Sequence, residues 1–134
     1  MYVLDTNILS ERLKEHCAPV LARRMRFQPA NALFTSAICV MELRYGATRK
    51  DDGGVLWRRI ESAVLPRVQI VDLGEEEAIL AGDLRSYLER RGQPIQTEDL
   101  LIAATALARG FVVVTHNQAH FSRIPNLRVE DWIA

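Results

Sequence analysis

The chain opens on an unbroken apolar run, Tyr2-Val3-Leu4, which predicts a short buried strand. Asp5-Thr6-Asn7 then turns into a helix in which Ile8, Leu9 and Leu13 alternate with Ser10, Glu11, Arg12 and Lys14. Pro19 starts a second short helix to about Met25, Pro29-Ala30-Asn31 breaks it, and Ala32 to Thr35 reads as the next strand. Ser36 is placed to cap a helix carrying Ile38, Val40, Met41, Glu42, Leu43 and Tyr45, expected to stop near Gly46 before a loop over Arg49 to Gly54. An amphipathic helix over about Val55 to Leu65 ends at Pro66, and Val68 to Leu73 reads as a buried strand. Glu75-Glu76-Glu77 sets acids at the favourable end of a long helix that finishes at Arg90-Arg91-Gly92. Thr97 can cap the next helix, with Glu98 and Asp99 in its first turn, the nearly wholly apolar Leu100 to Leu107 behind them, and Arg109-Gly110 at its close. Phe111 to Thr115 is the most strand-like run, and Leu127 to Val129 reads as an edge strand. Strands thus alternate with helices, which predicts an α/β fold with a mainly parallel sheet of four to five strands, residues 1–134 forming one domain. Such sheets bind ligands beyond the carboxyl ends of their strands, where Asp5 and Asn117 fall.

Three acids sit inside or against apolar runs: Asp5 after Val3-Leu4, Glu42 between Ile38 and Leu43, and Asp99 before Leu100 to Ala104. An unpaired buried carboxylate costs several kcal/mol, so such groups are neutralised, paired or bound to metal. Taken singly, Asp5 and Asp99 are also good helix-start residues and Glu42 could face solvent. Taken together, they are a donor set for one hard, oxygen-liganded ion such as Mg²⁺, with Mn²⁺ as a substitute. Asp5 and Asp99 would ligate directly and Glu42 directly or through water, which is the chemistry of a metal-dependent phosphodiesterase. His116 and His120 are four apart, a spacing used by zinc sites, but Asn117 stands where a zincin needs its glutamate and His116 follows straight on a strand. Cys17 and Cys39, in segments that read as helical and without CxxC spacing, are expected to be reduced core residues.

Charge changes the picture little, since 17 Lys and Arg balance 17 Asp and Glu. An anionic partner must be met by local patches, for which Arg12, Arg44, Arg49, Arg85, Lys14 and Lys50 are candidates against the usual reading of solvated helix faces. No apolar run approaches the ~20 residues of a membrane span, and no basic leader precedes the first strand, so the expected location is cytoplasmic.

Five motifs in order, Asp5-Thr6-Asn7, Met41-Glu42-Leu43 with Gly46, Thr97-Glu98-Asp99-Leu100-Leu101-Ile102-Ala103-Ala104, Val114-Thr115-x-Asn117 and Leu127-Arg128-Val129-Glu130-Asp131-Trp132, resemble PIN-domain ribonucleases of the VapC toxin type. The resemblance implies a three-layer α/β/α fold and a magnesium-dependent endoribonuclease acting on a structured RNA such as tRNA. It also implies a VapB-type antitoxin as inhibitor, a homodimer or toxin–antitoxin hetero-oligomer, and operator DNA bound only through the antitoxin. Asp5, Glu42 and Asp99 match the family's metal-binding acids and Asn117 its fourth position. Thr6, Ser10 and His120 are placed to touch metal-bound water or substrate.

The chain departs from the pattern where many relatives carry a fourth acid: it has Asn117, and His120 before Phe121. An amide can hold a water or a phosphate oxygen but adds no negative charge. A PIN fold that binds RNA or a partner without cutting is therefore the alternative. A phosphoacceptor receiver domain with Asp72 as acceptor is a remote one, because Asp5-Thr6 and Thr115-His116 stand where that fold needs an acidic pair and a lysine. Apolar side chains around Leu9, Leu13, Val20, Leu21, Met25, Val55, Leu56, Trp57 and Ile60 exceed what one small core obviously needs, and the resemblance implies an antitoxin tail along them.

Overall fold

In the computed structural model, which describes residues 1–133, the strands Tyr2–Leu4 (β1), Leu33–Ser36 (β2), Gln69–Val71 (β3), Val112–Val114 (β4) and Val129–Glu130 (β5) form one sheet. Their order is β3-β2-β1-β4-β5 and every pairing is parallel. The most apolar runs take the centre: Val3, Leu4, Val113 and Val114 are fully buried. The helices are Thr6–Arg12 (α1), Pro19–Phe27 (α2), Ala37–Lys50 (α3), Val55–Arg59 (α4), Glu75–Arg90 (α5), Thr97–Arg109 (α6) and Gln118–Phe121 (α7). Given the right-handed crossovers that parallel strands almost always take, connections running from β1 out to β3 and from β4 out to β5 put helices on opposite faces, the α/β/α arrangement that the resemblance implies.

The strand order reverses between β1 and β4, because the chain leaves β1 towards one edge and β4 towards the other. The loops therefore diverge there and leave a crevice at the carboxyl ends of those two strands. That crevice fixes where a ligand goes before any side chain is considered.

Several local expectations change. The helix carrying Glu42 passes through Gly46 and ends at Lys50, capped by Asp51 in the left-handed region at φ 51°. Gly46 is exposed, so it costs the helix only about 1 kcal/mol relative to alanine, and buried Ala47 secures the last turn. β3 is shorter than expected and lies at the edge, which leaves Gln69 and Ile70 exposed where a buried strand was expected. The segment after α4 widens into a π turn over Ile60–Val64 and tightens into a 3₁₀ turn over Leu65–Arg67 that contains Pro66. Gln96, not Thr97, is the N-cap of α6, and β5 starts two residues later than Leu127. Cys39 is core, whereas Cys17 is half-buried between α1 and α2; both are free thiols. Among the described residues no helix is long and apolar enough to cross a membrane.

Candidate active site

Asp5 is the first residue beyond β1 and the N-cap of α1, where its Oδ1 accepts a hydrogen bond from the Thr6 backbone N–H at 2.8 Å. Capping a helix and facing the crevice are compatible here, because the second oxygen is separately engaged: Oδ2 accepts from Thr115 Oγ1 at 2.8 Å and from Asn7 Nδ2 at 3.1 Å. Thr115 lies just past β4 and also accepts from the Asn117 backbone N–H at 2.9 Å, tying the two central strand ends together. Asp5 is only 4 % exposed. Burial raises its pKa above the usual carboxylate value, with the charge of Asp99 adding to the rise and the Thr115, Thr6 and Asn7 hydrogen bonds opposing it.

Glu42 reaches the same crevice from α3, where its Oε1 accepts from Thr6 Oγ1 at 2.6 Å. It is half-buried, and its pKa is raised by burial first and then by Asp5, Asp99 and Glu98, against the Thr6 hydrogen bond. Cys39, one turn earlier on α3, is wholly buried beside them. Asp5, Cys39 and Glu42 each offer a ligand atom within 4.8 Å of one another, a grouping that could hold a metal ion. Burial, and secondarily the Asp5 charge, push the Cys39 thiol up to about 11, so it stays protonated near neutrality and the oxygens are the available donors. Asp5 and Glu42 make no ion pair among the described residues. Two carboxylates neutralised by no internal cation fit a hard divalent ion.

Asp99, in the first turn of α6, enters from the opposite side and lies outside that tight group. Its Oδ2 is 3.0 Å from His120 Nδ1, which is in turn 2.8 Å from Asn117 Nδ2. One ring nitrogen carries either a proton or a lone pair, so Nδ1 donates to Asp99 or accepts from Asn117, not both. Asp5, Thr6, Ser10, Glu42, Asp99, Asn117 and His120 all line one cleft of about 670 Å³, together with Asn7, Glu11, Lys14 and Gln96. Asn7 and Thr115 carry the positioning of Asp5, a role that their places in the Asp5-Thr6-Asn7 and Val114-Thr115-x-Asn117 motifs do not by themselves reveal.

Other expectations separate. His116 is exposed and pairs with Asp131 at 3.0 Å, so the two histidines do not share a site. Of the basic candidates only Lys14 lines the cleft, held by Glu11 at 2.7 Å. Arg44 stacks on Trp57 and Arg49 on Tyr45, while Arg85 pairs with Glu89. Trp57 and Leu56 pack partly against the core. Asp72 is exposed beyond the edge strand and does not line the cleft, which removes the receiver reading.

The PIN domain family model matches residues 2–127. The chain is 35 % identical to a tRNA(fMet)-specific endonuclease VapC of Salmonella typhimurium, over 98 % of this chain and 97 % of that protein. It is 33 % identical to Ribonuclease VapC2 of Rickettsia felis, over 98 % of each. A crystal structure of DNA-bound VapBC from Salmonella typhimurium superposes with a TM-score of 0.90 at 34 % identity, covering 98 % of this chain and 97 % of that one. The cleft at the β1/β4 switch point, the all-parallel sheet around it and these likenesses over nearly the full length lead to one conclusion: the chain belongs to the PIN domain family, among the VapC ribonucleases.

Proposed function

We propose that this chain is the metal-dependent endoribonuclease toxin of a toxin–antitoxin pair, acting as one PIN domain over residues 1–134 in the cytoplasm. The observation that carries the reading is the pair Asp5 and Glu42, buried or half-buried at the switch point, facing Asp99 across an open cleft and ion-paired with no cation among the described residues. Asp5, Asp99 and Glu42 would hold Mg²⁺, with Mn²⁺ as a substitute. When bound, such an ion lowers the pKa of water and offsets charge on a phosphoryl oxygen.

The chain's own residues do the rest. Thr115 and Asn7 fix the Asp5 carboxylate, and Thr6 fixes Glu42, so neither acid has to reorganise when a ligand enters. His120 orients Asp99 through Oδ2, and the Asn117 amide supplies a neutral donor where a fourth acid would add repulsion towards a phosphodiester. Lys14 stands at the rim with a largely exposed side chain, positioned to draw the anionic backbone in.

By likeness to the tRNA(fMet)-specific relative, the substrate is a structured RNA such as tRNA, cut where unstacked bases can be read. By likeness to the VapBC complexes, a VapB-type antitoxin inhibits the protein, the assembly is a homodimer or hetero-oligomer with it, and operator DNA is reached only through that partner. The test is cleavage of total bacterial RNA by protein freed of antitoxin, with Mg²⁺ or Mn²⁺ against EDTA, beside Asp5→Ala and Asp99→Ala. Discrete fragments that need metal and vanish in both variants are expected. No cleavage by folded, partner-free protein would mean a PIN fold that binds without cutting.

A further inference from the structure

A second cavity, of about 310 Å³, lies at the opposite end of the sheet from the acids. Its walls include Leu33, the first residue of β2, and Arg67, which closes the 3₁₀ turn just before β3. Three arginines, Arg12 from the end of α1, Arg26 from α2 and Arg67, line it, and among the described residues no acidic one does. Most arginines among the described residues are engaged elsewhere, Arg23 and Arg90 being the other exceptions. Arg24, Arg85 and Arg109 reach carboxylates, Arg44 and Arg49 lie over rings, and Arg128 donates to a carbonyl. Arg26 and Arg67 have no hydrogen bond or ion pair among the described residues, and Arg12 reaches only Cys17 Sγ at 4.0 Å.

Guanidinium groups gathered without a counter-charge repel one another, and an anion that accepts from several planar forks relieves that repulsion. The floor under them is apolar, with Met25 and Leu33, and Gln28 adds an amide. A phosphate with a sugar attached suits such a pocket better than a small free anion, which would leave the apolar floor uncovered. Next to Arg26, Phe27 is 79 % exposed at the end of α2, a flat face on which an unpaired base can stack. Charge, shape and the adjacent ring point the same way.

We propose that this pocket seats a backbone phosphate of the RNA substrate away from the bond that is cut, an inference that rests on the ribonuclease reading of the acidic cleft. The strands between the two ends are three to four residues long, a depth of roughly 10 Å. A folded RNA held in the cleft can wrap α1 and α2 to reach the pocket, whereas a short strand in the cleft cannot. The pocket therefore selects for folded RNA by affinity and carries no sequence information.

The test is equilibrium binding in EDTA, where nothing is cut, of unfractionated bacterial tRNA and of a short oligouridylate, to wild type and to Arg26→Glu/Arg67→Glu over a range of salt. The milder Arg26→Gln/Arg67→Gln is carried alongside, with thermal unfolding of each variant to show that the fold is kept. The charge-reversed protein is expected to lose about tenfold or more in tRNA affinity, with the slope of log K against log salt shallower by about one to two, as for the loss of one or two phosphate contacts. The glutamine pair should lose less in the same direction, and oligouridylate affinity should stay within about twofold. Unchanged tRNA binding overturns the inference, as does an equal loss for both ligands. Intact tRNA binding with loss of antitoxin binding overturns it too and assigns the pocket to an acidic protein segment. A wild type that neither binds nor cuts RNA overturns the ribonuclease reading itself, an outcome visible without any variant.

Discussion

On the side of the cleft built by β1 and α3, Asp5 and Glu42 are held by hydroxyl and amide donors alone, whereas on the side built by α6 and α7 Asp99 has an imidazole nitrogen 3.0 Å away. The first side leaves its negative charge uncompensated and raises the pKa of both acids by burial. The second sets a ring nitrogen directly against its acid. On the proposed reading, the β1/α3 side would lean more heavily on a bound cation than the α6/α7 side, where a ring nitrogen already meets the acid. The two sides should respond unequally to substitution.

The largest effect is expected from Asp5→Asn, which keeps the shape and removes the charge at the most enclosed acid. Cleavage in Mg²⁺ should fall by about a thousandfold or more. Asp99→Asn should also abolish most cleavage, but its loss should be the smaller of the two in Mn²⁺, since His120 remains to shape that side. Rates measured for both variants in both metals decide this, and the reverse order would mean that Asp99 is the acid on which cleavage depends more.

Next comes His120→Ala. If the imidazole orients Asp99, removing it should lower cleavage by about 10- to 100-fold, the usual cost of losing a group that orients a ligand. His120→Glu should recover part of that loss by placing an acid where the resemblance leads one to expect it. Unchanged cleavage by His120→Ala would show that Asp99 needs no help and that the two sides differ less than their contacts imply.

What the sequence could and could not convey follows the same division. The strand and helix order was legible because each run is locally consistent, and Asp5, Glu42 and Asp99 stood out as acids against apolar neighbours. Their meeting in one cleft follows from the β1/β4 reversal, which is a property of strand order and not of any local window. The hydroxyl of Thr115 and the amide of Asn7 are common residue types whose role exists only through contacts 110 and 2 positions away from themselves to Asp5. The helix end misread at Gly46 has a similar cause, because tertiary burial of Ala47 outweighs a weak local breaker. His116 and His120 looked like a pair only along the chain; in space each has a different carboxylate.

A subtler test of the β1/α3 side is Thr6→Val, which removes the hydroxyl that holds Glu42 at 2.6 Å while leaving the backbone N–H that donates to Asp5. Mn²⁺ affinity, read by titration without substrate, should weaken by about tenfold. Cleavage at saturating metal should change little. A loss that persists at saturating metal would mean that Thr6 acts on the substrate and not through Glu42.

The smallest effect concerns stability in EDTA and has a definite sign. Folding raises the pKa of Glu42 above its ordinary value of 4.5, chiefly through burial, so the folded state binds its proton more tightly than the unfolded state does. Stability from such a group is fully present below the unfolded pKa and is lost as pH rises through the folded one. Glu11 and Glu77 shift the other way, downward, so the pH curve of the wild type alone mixes opposite contributions. The difference between wild type and Glu42→Gln isolates the one group, since the amide oxygen can still accept from Thr6 and no charge remains. Without metal, the variant should gain on the wild type as pH rises from 4 to 7, by about 1 kcal/mol or less, given that the group is only half-buried. Excess Mg²⁺ should reverse the order at pH 7, because the ion stabilises whichever folded protein binds it better. A gap between the two that ignores pH, or that moves in the wild type's favour as pH rises in EDTA, would show that this acid is already compensated inside the protein and that the β1/α3 side does not wait for a cation.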